Sequence, residues 1–329
     1  MPAWLGRRDR FVSNNRRMLA SPNSKCVELE YFVVDVFTST PLAGNPLAVV
    51  FDTVGLSTER MQAIAREFNL SETTFIQRRP AETEIAEGVR VRIFTTQEEL
   101  PFAGHPTLGT ASVLKLQAPE TIHDETVSLA LNVGRIPVRF GPAPGESAPG
   151  LFGEMTQRDP EFGAELDRAE IAPLVGLETS DLDASFTPQV VSTGNAFAIV
   201  VLRSLESLAR LKVDHEKATP WLRERGARWF YVVAPTASPK GCPPQEWRAR
   251  MQFYGNEDPA TGSAAGPAIS YLVARGAVAS GERVHLRQGV EMGRPSDLFL
   301  SARKDSARVT DVRVAGSTVS VASGLLFLP

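Results

Sequence analysis

Cysteine is nearly absent from this sequence. Only Cys26 and Cys242 occur in 329 residues, both in stretches that read as loops. A disulfide framework is therefore not expected, and neither is a zinc site, which needs clustered Cys and His ligands. Histidine is scarce too: His105, His123, His215 and His285 are scattered without ligand spacing, so no metal is expected. No apolar run approaches the roughly 20 residues of a membrane-crossing helix. The longest, such as Tyr31–Val34 and Ala196–Leu202, are strand-sized. An excess of positive charge is also missing. A formal net charge of -3 offers no basic face to displace counterions, which argues against nucleic acid as a partner.

What remains is an ordinary globular composition, 43% hydrophobic and 22% charged, at a length that suggests two domains. The first 27 residues stand apart. Arg7, Arg8, Arg10, Arg16 and Arg17 lie among Ser and Asn with no apolar core, so this is no secretory signal. Its composition suits a disordered tail, a mitochondrial-type presequence, or a start placed too early with Met18 as the true beginning. The disordered tail is the reading adopted, with the cytoplasm as the default location.

The chain repeats itself. Arg90–Gly104 aligns without a gap onto Arg248–Gly262, with Arg90/Arg248, Arg92/Arg250, Glu99/Glu257, Pro101/Pro259 and Gly104/Gly262 identical. In the same order along the chain, Gly44-Asn45-Pro-Leu-Ala-Val-Val50 resembles Gly194-Asn195-Ala-Phe-Ala-Ile-Val200. Each half reads as a Gly-Asn turn into an apolar strand, then a charged strand, a Pro-containing turn, a Gly and a helix. The two helices, about His105–Leu116 and Ser263–Arg275, are apolar on nearly every side and so belong in the interior. The expected fold is α+β, with two pseudo-repeated domains, each a sheet wrapped around a central buried helix. The boundaries are residues 28–146 and 147–329 after an extension of 1–27, with the final strand free to return to the first domain. Val33–Phe37, Val89–Thr95, Trp229–Val233 and Ser317–Val321 read as strands. Thr58–Phe68 reads as an amphipathic helix started by Ser57. Pro-rich stretches near Pro142–Pro149 and Pro235–Pro244 read as loops, the first a candidate hinge.

Chemistry concentrates at the repeated turns. Gly104-His105-Pro106 and Thr261-Gly262-Ser263 each set a Gly at a helix start, where exposed N–H groups and the helix dipole suit an anion such as a carboxylate. Pro106 fits the first helical turn and Ser263 the N-cap. Glu72, between Leu70 and Phe75 where a helix gives way to a strand, is placed for partial desolvation, which raises a carboxyl's pKa toward the range useful for proton transfer. A Glu in that position equally suits an ordinary ion pair. Asp258 could share a proton with His105, or only bond its own turn.

Asp35–Val49, Asn69-Leu-Ser-Glu-Thr-Thr-Phe75, Glu99-Leu-Pro-Phe-Ala-Gly-His-Pro106 and Asp258-Pro-Ala-Thr-Gly-Ser-Ala264 together resemble the PhzF family of phenazine biosynthesis, in order from about Glu30 onward. The resemblance implies the diaminopimelate-epimerase-like fold, no cofactor, a homodimer, and isomerisation of trans-2,3-dihydro-3-hydroxyanthranilate or a similar small cyclic carboxylate. It assigns the catalytic acid/base to Glu72, with His105 and Asp258 in support. Gly104, Gly262, Ser263 and Asn45 are then the substrate-binding residues. Ser192–Ala196 departs from the family pattern and Phe253-Tyr-Gly-Asn256 is shortened, which keeps a different carboxylate open as substrate. Other members of that fold racemise amino acids with paired thiols. Neither Leu100–His105 nor Asp258–Ser263 contains a cysteine, which disfavours that chemistry here. A non-catalytic binding protein is the remaining alternative, and the joint presence of Glu72, His105, Asp258 and Ser263 argues against it.

Overall fold

The computed structural model describes residues 27–119, 125–144, 150–236, 246–253, 256–306 and 308–328. Cys26, His123, Cys242, the Tyr254-Gly255 pair, nearly all of the N-terminal extension and most of both Pro-rich stretches lie outside the described residues. Val27 already opens the first strand.

The molecule is α+β. Val27–Val36, Asn45–Val50, Glu72–Gln77, Val89–Phe94, Thr126–Leu131, Gly134–Gly141 and Leu151–Thr156 pair in that order. Leu151–Thr156 then pairs with Arg308–Leu328, which also pairs with Val27–Val36 and closes an eight-stranded ring. Closure matters because it leaves no edge strand with unpaired backbone groups. The long last strand reaches into both halves: Arg308–Ala315 is held by Ser296–Asp305, and Thr318–Leu328 by the first strand. From Ser296–Asp305 the sheet continues through Val284–Gln288, Glu246–Arg250, Trp229–Pro235, Ala196–Val201, Gln189–Ser192 and Glu161–Glu165. The parallel steps fall at matching places, Asn45–Val50 with Glu72–Gln77 in one half and Ala196–Val201 with Trp229–Pro235 in the other.

Each half encloses a helix. Gly104–Gln117 touches most strands of the ring, and Gly262–Ala274 packs on the strands of the second half. Their sequences explain the burial. Leu108, Ala111, Leu114, Ala265, Ile269 and Leu272 are fully buried, and small residues admit the close approach of strands. Gly109 is one such point, since a Cβ there would lie 2.6 Å from Leu47 Cδ2 and 2.7 Å from Val36 Cγ2. The helix Thr58–Phe68 forms as its pattern predicts: Ser57 accepts from the Arg60 N–H, and Met61, Ile64 and Ala65 are buried. Ser263 is not an N-cap. The second buried helix begins at Gly262 with Thr261 at its cap position, and Ser263 is already within it. Thr261 itself gives no side-chain cap, because its hydroxyl donates to Asp258 Oδ2 at 2.6 Å.

Candidate active site

The two buried helices meet at their N-terminal ends. A Cβ on Gly104 would come within 2.7 Å of Gly262 C and Ser263 N, so only glycine permits this approach. The first N–H groups of a helix have no intrahelical partner, and both ends open on one cavity. Glu72, His105, Asp258, Gly104, Gly262 and Ser263 all line it. So do Leu100, Phe102, Phe197, Trp229, Met251 and Phe253, which form an apolar and largely aromatic wall. Arg228 lies over the Trp229 ring, 4.3 Å from its centroid, and pairs with Glu98 of the first half at 2.5 Å.

Glu72 arrives here through local backbone chemistry. Asn69 ends the preceding helix in the left-handed region (φ 52), a conformation Asn tolerates, and its N–H bonds Ala65 O. The chain then turns into the strand whose first residue is Glu72. The side chain is 15% exposed, and its Oε2 is buried with no hydrogen-bond partner among the described residues. The facing group is His105 Nε2 at 3.4 Å, which also has none. Burial, reinforced by the nearby Asp258 carboxylate, pushes the Glu72 pKa well above the ordinary carboxylate range. Burial alone holds His105 down to about 3, so its ring is neutral. Asp258 is pushed up to about 6 by burial, against the lowering effect of donors from Thr261, Asn45 and the Ala260 N–H.

No hydrogen bond joins Asp258 to His105 directly. Asn45 stands between them, with Nδ2 2.8 Å from Asp258 Oδ1 and 3.1 Å from His105 Nδ1. Asn45 is fully buried and lies behind the two residues rather than against the cavity, which differs from the substrate contact expected of it. Its third partner is Ala260 O at 2.8 Å. Asn195 makes the corresponding contact in the opposite direction, with Nδ2 3.5 Å from Phe102 O. Arg92 grips Glu99 at 2.8 and 2.5 Å, and Arg250 grips Glu257 at 2.9 and 2.6 Å.

A further layer holds these groups in place. Gln288 is buried; its Oε1 accepts from Tyr231 Oη and the Thr261 N–H, and its Nε2 donates to Asp258 O and Thr261 Oγ1. Gln157 donates to Gly262 O at 2.8 Å and accepts from Thr193 at 2.6 Å. Among the described residues no cluster of three or more His, Cys, Asp or Glu is placed to hold a metal ion. No helix among them is long and apolar enough to cross a membrane.

A family model described as PhzC-PhzF, phenazine biosynthesis-like protein, matches residues 34–324. The chain belongs to the PhzC-PhzF family. It is 36% identical over 301 residues to the trans-2,3-dihydro-3-hydroxyanthranilate isomerase of Pseudomonas aeruginosa, covering 91% of this chain and 99% of that one. A PhzF-family protein of Bacillus anthracis superimposes with a TM-score of 0.78 at 26% identity, over 92% of this chain and all of that one. A predicted epimerase of P. aeruginosa superimposes with a TM-score of 0.73 at 34% identity, over 90% and 98%. As a PhzF-family chain it brings residues of three of its four sequence motifs to one cavity, while Asn45 of the first motif stands behind them. The motifs did not include Trp229, Phe197 or the bracing Gln157. Only the repeat pointed toward the first two, because Phe197 lies two residues beyond the second Gly-Asn pair and pairs with Trp229 across parallel strands.

Proposed function

We propose that this protein is a cofactor-independent isomerase that moves a proton on a small cyclic carboxylate, as its relatives named trans-2,3-dihydro-3-hydroxyanthranilate isomerase do. Glu72 is its acid/base. The observation that carries this reading is the desolvated, unpartnered Glu72 oxygen facing a neutral imidazole in a cavity that begins two helices. A carboxyl whose pKa is raised well above the ordinary range can both take and return a proton. Glu72 removes a proton from C3 of the ring acid and delivers it further along the conjugated system on the same face. The substrate carboxylate sits at Gly104 and Gly262, where the helix dipoles favour negative charge. Ser263 adds a hydroxyl. His105 and Asp258 hold the ring's polar groups and stabilise the charge that develops.

Duplication of one ancestral unit accounts for the one-sidedness. The matched ion pairs Arg92–Glu99 and Arg250–Glu257, and the reciprocal contacts of Asn45 and Asn195, support two copies related by a pseudo-twofold axis. Under that relation, Leu47 beside Glu72 corresponds to Phe197 beside Trp229. Where the first half carries the acid/base, the second carries an indole. One base on one face suits a proton shift within a molecule, whereas racemisation calls for an acid and a base on opposite faces. We extend the same reading to a cytoplasmic homodimer in antibiotic (phenazine) synthesis, with sedimentation equilibrium as the check on the dimer.

A second reading, isomerisation of a different small carboxylate, is favoured by one observation: Asn195 and Phe253, from the two segments that depart from the family pattern, both line the cavity. Incubation with trans-2,3-dihydro-3-hydroxyanthranilate in deuterated water separates the readings. Conversion with deuterium incorporation by the wild type, and its loss in Glu72→Gln, is the expected result. An inert compound would transfer the assignment to another acid. Equal conversion by both proteins would remove Glu72 from the role.

A further inference from the structure

The Asn45 side chain carries two hydrogens on Nδ2 and meets three acceptor positions: Asp258 Oδ1 and Ala260 O, each at 2.8 Å, and His105 Nδ1 at 3.1 Å. Its orientation is fixed by the first two. Turned over, Oδ1 would face a carboxylate oxygen and a carbonyl oxygen, acceptor against acceptor. With the amino group toward His105, a proton on Nδ1 would set N–H against N–H. The ring must therefore present its lone pair at Nδ1.

We propose that Asn45 is a positioning residue that holds His105 as the neutral Nε2–H tautomer, aiming that N–H at Glu72 Oε2 across 3.4 Å. The ionisable groups set around the ring are Glu72 on one side and Asp258 beyond Asn45 on the other. Burial keeps the imidazole uncharged, so the tautomer alone decides whether Nε2 donates to the carboxylate or repels it. One amide thereby sets the donor in the first half while gripping the carboxylate of the second.

The backbone beneath Asn45 is built to hold it. Gly44 adopts φ 67, and its would-be Cβ lies 2.5 Å from Val36 O, so the turn tolerates no other residue comfortably. Arg294 from the second half donates to Gly44 O at 2.8 Å and Ala43 O at 2.9 Å while pairing with buried Asp35 at 2.6 Å. Asp35 in turn accepts from the Leu42 N–H at 2.7 Å.

The inference rests on the proton-transfer reading for its consequence, yet its test needs no substrate. Two-bond 1H–15N correlation of the histidine rings reports the tautomer directly, with His105 assigned by the signal missing in His105→Phe. The wild type should show Nε2 protonated and Nδ1 bare. A protonated Nδ1, or an imidazolium, at neutral pH would overturn the proposal. Asn45→Asp exchanges the donor for an acceptor and should move the proton to Nδ1, lowering kcat at least tenfold with little change in KM. A tautomer unmoved by that change would also overturn it. Should Asn45→Asp not fold, Asn45→Leu removes the donor without adding an acceptor, and a ring still wholly in the Nε2–H form would count against the proposal in the same way. If His105 is Nε2–H while the anthranilate is inert, the tautomer assignment stands and the substrate reading falls.

Discussion

Glu72 faces an imidazole and a second carboxylate, not a lysine or arginine, and that choice of neighbours sets its behaviour with pH. A carboxyl whose folded pKa lies above its unfolded value favours the folded state only while protonated. Its contribution is complete below the unfolded pKa and is lost as pH rises through the folded one. Glu72→Gln keeps the shape and removes the titration. The variant should therefore melt at a temperature that climbs relative to wild type from about pH 5 upward and levels off above the raised pKa. Melts at a series of pH values check this; a constant or shrinking difference would count against a desolvated Glu72. The same substitution should cost about 10²–10⁴-fold in kcat, the usual reach of general acid–base catalysis. Because the first step needs the ionised form, kcat/KM of the wild type should fall on the acid side at a pH well above that for a free glutamate. Much of this residue-scale picture was legible in the sequence, since Glu72, His105, Asp258 and the two glycines sit in contiguous motifs. Asn45 was legible as part of the repeat, but its place behind the cavity was not. That place depends on Ala260 and Asp258, which lie more than 200 positions away in the chain.

Among the elements, the two helix starts make the sharpest demand. Gly104→Ala would gain about 1 kcal/mol of helix propensity. Against that, its Cβ would meet backbone atoms of Gly262 and Ser263 at 2.7 Å, and backbone cannot swing aside as a flexible side chain can. The helix ends must part, taking the two glycine N–H groups out of register with the carboxylate proposed to bind there. The expected outcome is a folded protein, by circular dichroism, with kcat/KM reduced at least about 100-fold through lost positioning. Gly141→Ala, where a Cβ would meet nothing within 4 Å, serves as the neutral control. Equal activity in both variants would mean that the glycine pair does not seat the substrate. The helices themselves were readable from sequence because each signal is local: Ser57 caps one, and unbroken apolarity marks the other two. The start of the second buried helix was misread because Thr261 and Ser263 both have capping chemistry, and a tertiary partner, Asp258, decides which hydroxyl is occupied. The last strand was read only at Ser317–Val321. Its exposure pattern changes as it passes from one partner to the next, so no single period marks its length of 21 residues.

At the scale of the molecule, that strand links the two halves. Its residues 308–315 belong to the sheet of the second half, 313–318 pair with Leu151–Thr156, and 318–328 close the ring against Val27–Val36. Asp35–Arg294 adds a second tie across the halves, with Asp35 only 2% exposed. The proposed active site needs both, because Glu72 and His105 come from the first half and Asp258 and Ser263 from the second. A chain ending at Ser317 would leave the first strand as an exposed edge and uncover Leu29, Val34 and Val36. Losing even three such buried side chains costs on the order of 5–9 kcal/mol, comparable to the whole stability of a domain. The truncated chain should therefore fail to fold in both halves, and the intact one should unfold in a single calorimetric transition with matching calorimetric and van't Hoff enthalpies. Two resolved transitions, or a truncated protein that keeps a folded second half, would show the halves to be independently stable. The site would then depend on docking rather than on a shared strand. The single transition follows from topology: a ring that closes through the last strand is complete only when the whole chain has folded.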